Sequence, residues 1–304
     1  MVKADFSGIF CLPVTPFKNG DDEVDEDVMR QIVDVIIDDG VTGLVPTGAT
    51  GEFPFLLHEE RKRVQDIVLD QTNGRALVLA GTGATNTKEA LIFTKYAQDI
   101  GCDGVMLSHP VLMQANDEQT YGFFAKIASY VEIPILMYNN PGLGRTMSPG
   151  VIERLADELD NIVAYKEDDF NALRFGRIIS RCRDKLRILT GYPGILLEFL
   201  TLGAHGCLIA EYQAFPHLIH GVMDAFEKGD KEEAIEYHEK ILEMFRIIET
   251  HFAGASFPAR YKATWRLRGL DINLDVRHPH NPVTTEQLKK ATPELEKLGI
   301  KKIA

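Results

Sequence analysis

Eight short, continuously apolar runs recur between residues 8 and 210 of this 304-residue chain, and stretches of helical length separate them. They cover residues 8–14, 43–46, 76–80, 104–107, 133–138, 162–166, 187–190 and 206–210, each bounded by Gly, Pro or polar residues. Runs that are apolar throughout, without alternation, are the pattern of strands buried on both faces. In the first intervening stretch Val24, Val28, Ile32, Val35 and Ile36 recur at helical spacing, and Asp25 or Asp27 is placed to cap the helix start. Further helices are expected to begin near His58, Asn86, Asp117, Ser148, Asn171 and Pro193; Thr87 with Glu89 close behind, Asp117, and Ser148 followed by Pro149 are the candidate starting residues. Eight strands in strict alternation with helices predict an α/β fold, a closed (β/α)8 TIM barrel, over an open doubly wound sheet. The first strand runs into Pro13-Val14-Thr15-Pro16, which offers no phosphate cradle, and Gly81-Thr82-Gly83 lacks the rest of a dinucleotide fingerprint.

The barrel is expected over residues 1–212. Residues 213–304 read as helices at 216–228, 231–251 and 258–268, then the turn-rich His278-Pro279-His280-Asn281-Pro282 and a last helix. In the second of these helices Ala234, Tyr237, Ile241, Phe245 and Ile248 share one face. No Pro-, Gly- or Ser-rich linker precedes this tail, so it is expected to be a C-terminal helical extension packed on the barrel within one structural domain.

A net charge of −12 argues against sequence-independent binding to nucleic acid or anionic membranes. The acidic cluster Asp21-Asp22-Glu23 reads as a solvated loop and helix start. Cys11, Cys102, Cys182 and Cys207 form no CxxC pair and have no second ligand at metal spacing. Free thiols and an N-terminus without an apolar leader point to the cytoplasm, and no apolar run approaches the length of a membrane span.

Barrel enzymes carry their chemistry at the C-terminal ends of the strands. There the sequence places Thr47-Gly48-Ala49-Thr50-Gly51-Glu52, Ser108-His109-Pro110, Tyr138-Asn139-Asn140-Pro141, Lys166-Glu167-Asp168, Gly191-Tyr192 and Ala210-Glu211. Lys166 follows Ile162-Val163-Ala164-Tyr165, a run that leads into a low-dielectric core. Desolvation disfavours an ammonium ion and makes the amine a better nucleophile toward a carbonyl. The plainer reading is a surface lysine paired with Glu167 or Asp168. Tyr138, one strand away, either carries protons or fills the barrel mouth. The loop with Gly48, Ala49 and Thr50 either gathers backbone N–H groups on a carboxylate or is a tight turn without a ligand. His109 reads as a loop histidine, Glu211 as a contact to the tail and His205 as structural.

Taken together, the Gly-x-Thr-Gly-Glu loop after strand two, Tyr-Asn-x-Pro after strand five and Lys-Glu after strand six resemble the dihydrodipicolinate synthase/N-acetylneuraminate lyase family of class I aldolases. The opening Gly-Ile-Phe-x-x-Pro-Val-Thr-Pro-Phe and the pair Gly191 and Gly206 extend the resemblance over essentially the whole chain. It implies that Lys166 forms a Schiff base with pyruvate or another 2-oxo acid. Tyr138, with Thr50, would move protons, and Gly48, Ala49 and Thr50 would hold the substrate carboxylate. Leu208 would pack on the bound keto acid, with Gly191 nearby. The resemblance also implies a homotetramer, and the imine does the polarising for which a metal or other cofactor would otherwise be needed.

Departures from the family pattern bear on the substrate. The synthase has two further relay hydroxyls; Ala49 stands at the position of one and Leu112 at that of the other. Its arginine for the aldehyde carboxylate is matched by Leu143, with Arg145 two residues later and able to take that role only if the loop differs. The sialic acid lyase has an acidic pair where this chain has Pro193-Gly194. The expectation is therefore a lyase or aldolase acting on pyruvate or on a 2-oxo acid such as a 2-keto-3-deoxy sugar acid. A dehydratase of such an acid, or dihydrodipicolinate synthesis, are the alternatives. A keto-acid-binding barrel without turnover and a metal-dependent lyase are readings from other classes; the second lacks partners for His109 and Glu211 on strands two and three.

Overall fold

The computed structural model describes residues 5–20 and 23–303; the N-terminal segment 1–4 and Asp21 and Asp22 of the acidic cluster lie outside the described residues. Eight parallel strands close a barrel in sequence order: β1 (Gly8–Cys11), β2 (Gly43–Leu44), β3 (Leu77–Gly81), β4 (Gly104–Ser108), β5 (Ile135–Asn139), β6 (Ile162–Glu167), β7 (Arg187–Thr190) and β8 (Gly206–Ile209). β8 returns to β1 with Gly8 opposite Gly206. That seam needs glycine, because a Cβ on Gly206 would lie 1.9 Å from the Gly8 carbonyl oxygen.

Several strands are shorter than the apolar runs, and proline is the main reason. Pro13 ends the ladder after Leu12, whose N–H still reaches Ile209 O at 3.1 Å. Pro46 stops β2, and Pro134 delays β5 to Ile135 while its carbonyl accepts from Val105 N at 2.9 Å. β8 ends at Ile209 because Ala210 already has a helical backbone.

Helices α1 (Glu26–Asp38), α2 (His58–Thr72), α3 (Thr87–Ile100), α4 (Asp117–Ala128), α5 (Pro149–Glu158), α6 (Ala172–Cys182) and α7 (Leu196–Leu202) alternate with the strands. Asp25 caps α1 and Ser148 caps α5, accepting from Val28 N and Val151 N. The caps of α3 and α4 are Asn86 and Asn116, one residue earlier than Thr87 and Asp117, and Asn171 caps α6. Pro193 opens a short 3-10 turn, not α7 itself, which starts at Leu196.

The two-residue side-chain period of a strand sorts the barrel into two apolar regions. Inside lie Phe10, Leu12, Leu79, Met106, Leu136, Tyr138, Ala164, Leu189 and Leu208. Residues one step along, such as Cys11, Val105, Met137 and Tyr165, face the helical shell. Truncating an interior leucine such as Leu136 to alanine costs about 2–5 kcal/mol.

The tail forms α8 (Pro216–Lys228), α9 (Lys231–His251), α10 (Phe257–Arg268, one residue earlier than the expected 258) and α11 (Thr285–Lys297). Ile241, Trp265 and Leu295 belong to the same apolar cluster as the barrel's shell. Polar ties add to this: Trp265 Nε1 donates to Gln213 Oε1 at 2.9 Å, and Arg268 pairs with Asp39 at 2.7 Å. On α9 Ala234, Ile241 and Ile248 are buried as the spacing predicts, but Tyr237 and Phe245 are only half-buried. His238, Met244 and Ile247 complete the buried set, because α9 lies against α8, α7 and α11 at once. Among the described residues no helix is long and apolar enough to cross a membrane.

Candidate active site

The register of β5 on β6 sets Tyr138 opposite Lys166. Strand alternation then points Ala164 and Lys166 into the barrel and Tyr165 and Glu167 into the shell. Lys166 is 3% exposed, and its Nζ lies 3.3 Å from Asp168 Oδ1 and 4.1 Å from the centre of the Tyr138 ring. The lysine is therefore buried and not at the surface, and of the two carboxylates expected as its partner it pairs with Asp168. Glu167 is engaged elsewhere, accepting from Asn139 Nδ2 at 2.5 Å, Tyr165 Oη at 2.8 Å and Arg174 Nε at 3.1 Å. Burial pushes the Glu167 carboxyl up even against Arg174.

Asp168 joins the cluster together. Its Oδ2 accepts from Tyr138 Oη at 2.5 Å and from Asn140 Nδ2 at 3.1 Å, and the same Asn140 amide donates to Tyr138 Oη at 2.7 Å. Apart from the Lys166 ion pair, its Oδ1 has no partner among the described residues. Burial raises the Asp168 carboxyl above the ordinary aspartate range, with Lys166 and the Tyr138 hydrogen bond opposing. Burial and the nearby Asp168 charge push the Tyr138 phenol well above its usual value. Gly191 makes the arrangement possible, since a Cβ there would stand 1.6 Å from Asp168 Oδ1 and 2.3 Å from Lys166 Cε.

These groups open onto a cavity of ≈ 340 Å³ lined by Leu12, Ala49, Thr50, Tyr138, Asn140, Lys166, Asp168, Phe170, Gly191, Tyr192, Ala210, Glu211 and Phe257. One wall is the loop after β2. Its shape relies on left-handed backbone at Thr47 and Glu52, with φ of 56° and 59°. Thr47 Oγ1 donates to Gly81 O at 2.9 Å, and Thr15 Oγ1 to Gly51 O at 2.8 Å. The N–H groups of Ala49 and Thr50 donate to no group among the described residues, which leaves them open to an anion. Gly48 sits behind, where a Cβ would lie 2.4 Å from Leu12 Cδ2.

Lys166, Tyr138, Thr50, Ala49 and Gly191 thus come together around one cavity. Three other expected residues do not line it: Gly48, which sits behind the loop wall, Leu208 and Arg145. Leu208 is buried one layer deeper, in the interior cluster with Leu12 and Tyr138. Arg145 is exposed, and among the described residues only its backbone N finds a partner, Met113 O at 3.4 Å. Leu143 is half-buried against the interior cluster. Leu112 is 85% exposed with φ of 61°.

Asn140, Phe170 and Phe257 were not singled out from sequence. Asn140 is the variable residue of Tyr-Asn-x-Pro, and the motif spacing was a usable signal for it. Phe257 comes from α10, and nothing local points it at the barrel mouth. Glu211 is the contact to the tail that was expected, accepting from Tyr261 Oη at 2.6 Å, and it also lines the cavity with its carboxyl raised by burial. His109 is buried, its Nε2 3.1 Å from Asn140 O, and burial lowers its pKa. His205 Nδ1 accepts from Ile188 N at 3.0 Å, a link between β7 and the start of β8. Among the described residues no three His, Cys, Asp or Glu side chains gather as a metal-ligand set.

The model of the dihydrodipicolinate synthetase family matches residues 5–298. The chain belongs to that family. Its relatives include the 4-hydroxy-tetrahydrodipicolinate synthases of Syntrophus aciditrophicus, 35% identical over 97% of this chain and 99% of that one, and of Methanothrix thermoacetophila, 35% identical over 97% of each. Among solved structures, YagE of E. coli K12 in complex with pyruvate superposes with a TM-score of 0.91 at 27% identity, covering 98% of this chain and 100% of that one. Dihydrodipicolinate synthase of Aquifex aeolicus gives 0.90 at 28% identity, with the same coverage. Members of the family are lyases of the class I aldolase type, and this chain is one of them.

Proposed function

We propose that this lyase works through an imine between Lys166 and a 2-oxo acid of the pyruvate type. The observation that carries the reading is a buried amine at the floor of a cavity, 3.3 Å from a carboxylate that is itself hydrogen-bonded to Tyr138. The free N–H groups of Ala49 and Thr50 take the substrate carboxylate. The protonated imine is an electron sink, so the next carbon–carbon bond breaks to leave an enamine, or the enamine attacks an aldehyde. Tyr138 moves the protons, and no metal is assigned a part.

For the second half of the substrate we favour a neutral, hydroxyl-bearing fragment, as in a 2-keto-3-deoxy sugar acid. Leu143 supplies no cation, Arg145 is exposed, and Asp168 and Glu211 are acids that oppose a second carboxylate. Dehydration of such an acid shares the same imine. The synthesis for which the relatives are named is the second reading, favoured by 35% identity over nearly the full chain. We further propose a cytoplasmic homotetramer whose tail and barrel act as one unit; four unpaired, buried cysteines fit a reducing compartment.

Borohydride reduction with pyruvate, followed by intact mass and peptide mapping, tests the reading. A pyruvate-sized adduct on Lys166 is expected. Its absence with pyruvate and with larger 2-oxo acids would return the binding-barrel alternative.

A further inference from the structure

An imine-forming lysine has a proton problem. Joining an ammonium to a ketone releases water, so two protons must leave nitrogen and arrive on one oxygen. The group that moves them must touch both atoms' positions. Among the described residues that line the cavity, the one carboxyl within 4 Å of Lys166 Nζ is Asp168. Glu211 also lines the cavity but is held by the Tyr261 hydroxyl at 2.6 Å. Thr50 contributes a hydroxyl to the wall, and Ala49 beside it contributes none.

Asp168 is built for two-sided use. Oδ1 faces the amine and is otherwise unpartnered, while Oδ2 receives the Tyr138 proton at 2.5 Å. Asn140 fixes both ends of that second contact. The side chain still keeps 18% of its surface open, toward the cavity. Gly191 removes the Cβ that would displace Oδ1.

We propose that Asp168 is the proton carrier of the imine-forming step, passing protons from Lys166 Nζ to the departing substrate oxygen, with Tyr138 as the second leg of the path. This rests on the imine reading above. The Asp168 carboxylate first takes one proton from the Lys166 ammonium. The amine lone pair then forms the C–N bond, the carbonyl π pair moves to oxygen, and Asp168 returns its proton there, directly or through Tyr138. A second proton moves from nitrogen to Asp168 and on to the hydroxyl. The C–O bond breaks, water leaves, and the nitrogen pair closes the C=N bond. One positive charge enters on the ammonium and one leaves on the imine, so Asp168 ends as the carboxylate it began as.

The groups facing Asp168 are Lys166 near the end of β6, Tyr138 of β5 and Asn140 just after it, and Tyr192 and Glu211, which line the same cavity. With its carboxyl raised by burial, Asp168 loses its accepting form at a higher pH than an ordinary aspartate would. The acid limb of imine formation should be displaced upward accordingly.

The experiment times imine formation by quenching wild type and pyruvate with borohydride, alongside Asp168→Asn and Asp168→Ala. Asn keeps the shape and loses the proton. Proton transfer of this kind supplies roughly 10²–10⁴-fold, so adduct formation in Asp168→Asn should slow by about 100-fold or more and lose the acid limb. Formate should restore part of the rate in Asp168→Ala, which a merely structural role would not allow. An adduct formed by Asp168→Asn at the wild-type rate, with the wild-type pH profile, sinks the carrier role and leaves the imine intact. No adduct in wild type with any 2-oxo acid takes down both readings.

Discussion

Among the described residues two lysines are buried against carboxylates, and the difference between them separates structure from chemistry. Lys262 of α10 is fully buried; its Nζ donates to Glu52 at 2.8 Å and to Asp275 O at 2.6 Å, and it lies 4.1 Å from the centre of the Phe17 ring. The other Glu52 oxygen accepts from Arg277 N at 2.8 Å. Each group there has its partners, and neither lines the cavity. Lys166 is nearly as buried, but its carboxylate is 3.3 Å away, that oxygen has no second partner among the described residues, and both residues face the cavity. Burying a charge costs several kcal/mol unless hydrogen bonds repay it. A closed, saturated pair spends its attraction on holding two segments together. An open, unsaturated one keeps interactions in reserve for a ligand. The two meet at one loop, since Glu52 ends the turn whose Ala49 and Thr50 wall the cavity. The closed pair thus ties α10 to the shape of the open one's site.

Replacing each lysine by methionine should therefore give opposite phenotypes. Lys166→Met is expected to lose the borohydride adduct and to drop turnover by on the order of 10⁴ or more, with little change in the midpoint of denaturation. Lys262→Met strands the Glu52 charge, and removing one partner of a buried pair costs about 3–5 kcal/mol. It should unfold at much lower denaturant concentration, yet the folded fraction should still form the adduct on Lys166. Chemical denaturation and adduct mass on both variants check this. If Lys262→Met lost the adduct while remaining folded and stable, the division between the pairs would fail.

A smaller effect should appear in alkali. Burial pushes the Lys262 amine down to about 8, with Glu52 opposing, while the unfolded chain keeps its lysines near 10.4. Below about pH 8 both states hold the proton, and the cost of the buried ammonium is fully present. Between about 8 and 10.4 the unfolded state binds the proton that the folded state has released, so this group's contribution to stability rises with pH. The unfolding free energy of wild type minus that of Lys262→Met should grow over this window. A flat or falling difference would put the proton back on the folded lysine.

The two pairs were not equally legible in the sequence. Lys166 and Tyr138 were legible as residues at neighbouring strand ends, but taken singly each kept a plainer reading, and only Tyr-Asn-x-Pro and Lys-Glu read together gave them roles. The barrel was legible too, since eight two-sided apolar runs have few other solutions; several strand ends were misjudged, mainly where Pro13, Pro46 and Pro134 remove donors without reducing hydropathy, and the start of α7 was placed in the 3-10 turn before it. Asp168 was visible as a neighbour but not as the centre of the cluster, because that depends on how the chain turns after β6 and on the missing Cβ of Gly191 across the barrel. Lys262 was not legible at all: its partner Glu52 lies in a remote loop, and no local pattern joins them. Arg145 was considered for the site on sequence proximity alone, and the loop after β5 leaves it in solvent.

The loop after β5 offers the finest test of what the open pair faces. Leu143 is half-buried against the cluster that contains Tyr138 and Leu12, and its backbone is held at both ends, by Asn140 O at 3.0 Å and by the Leu112 N–H at 2.7 Å. Leu143→Arg would put a guanidinium on a fixed backbone beside the cavity, at the loss of some apolar contact. That cation has two anions to choose between, the distal carboxylate of an acidic aldehyde and Asp168. A charge-assisted hydrogen bond to substrate is worth about 1.5–3 kcal/mol, so even a divided interaction should lower KM for an acidic aldehyde by about tenfold. Capture of Asp168 would appear separately, as slower imine formation with pyruvate alone. Arg145→Ala should change neither quantity, because that side chain already stands in solvent. If Leu143→Arg leaves both KM and the imine rate untouched, position 143 does not overlook the open pair. The preference for a neutral second fragment would then rest on Asp168 and Glu211 alone.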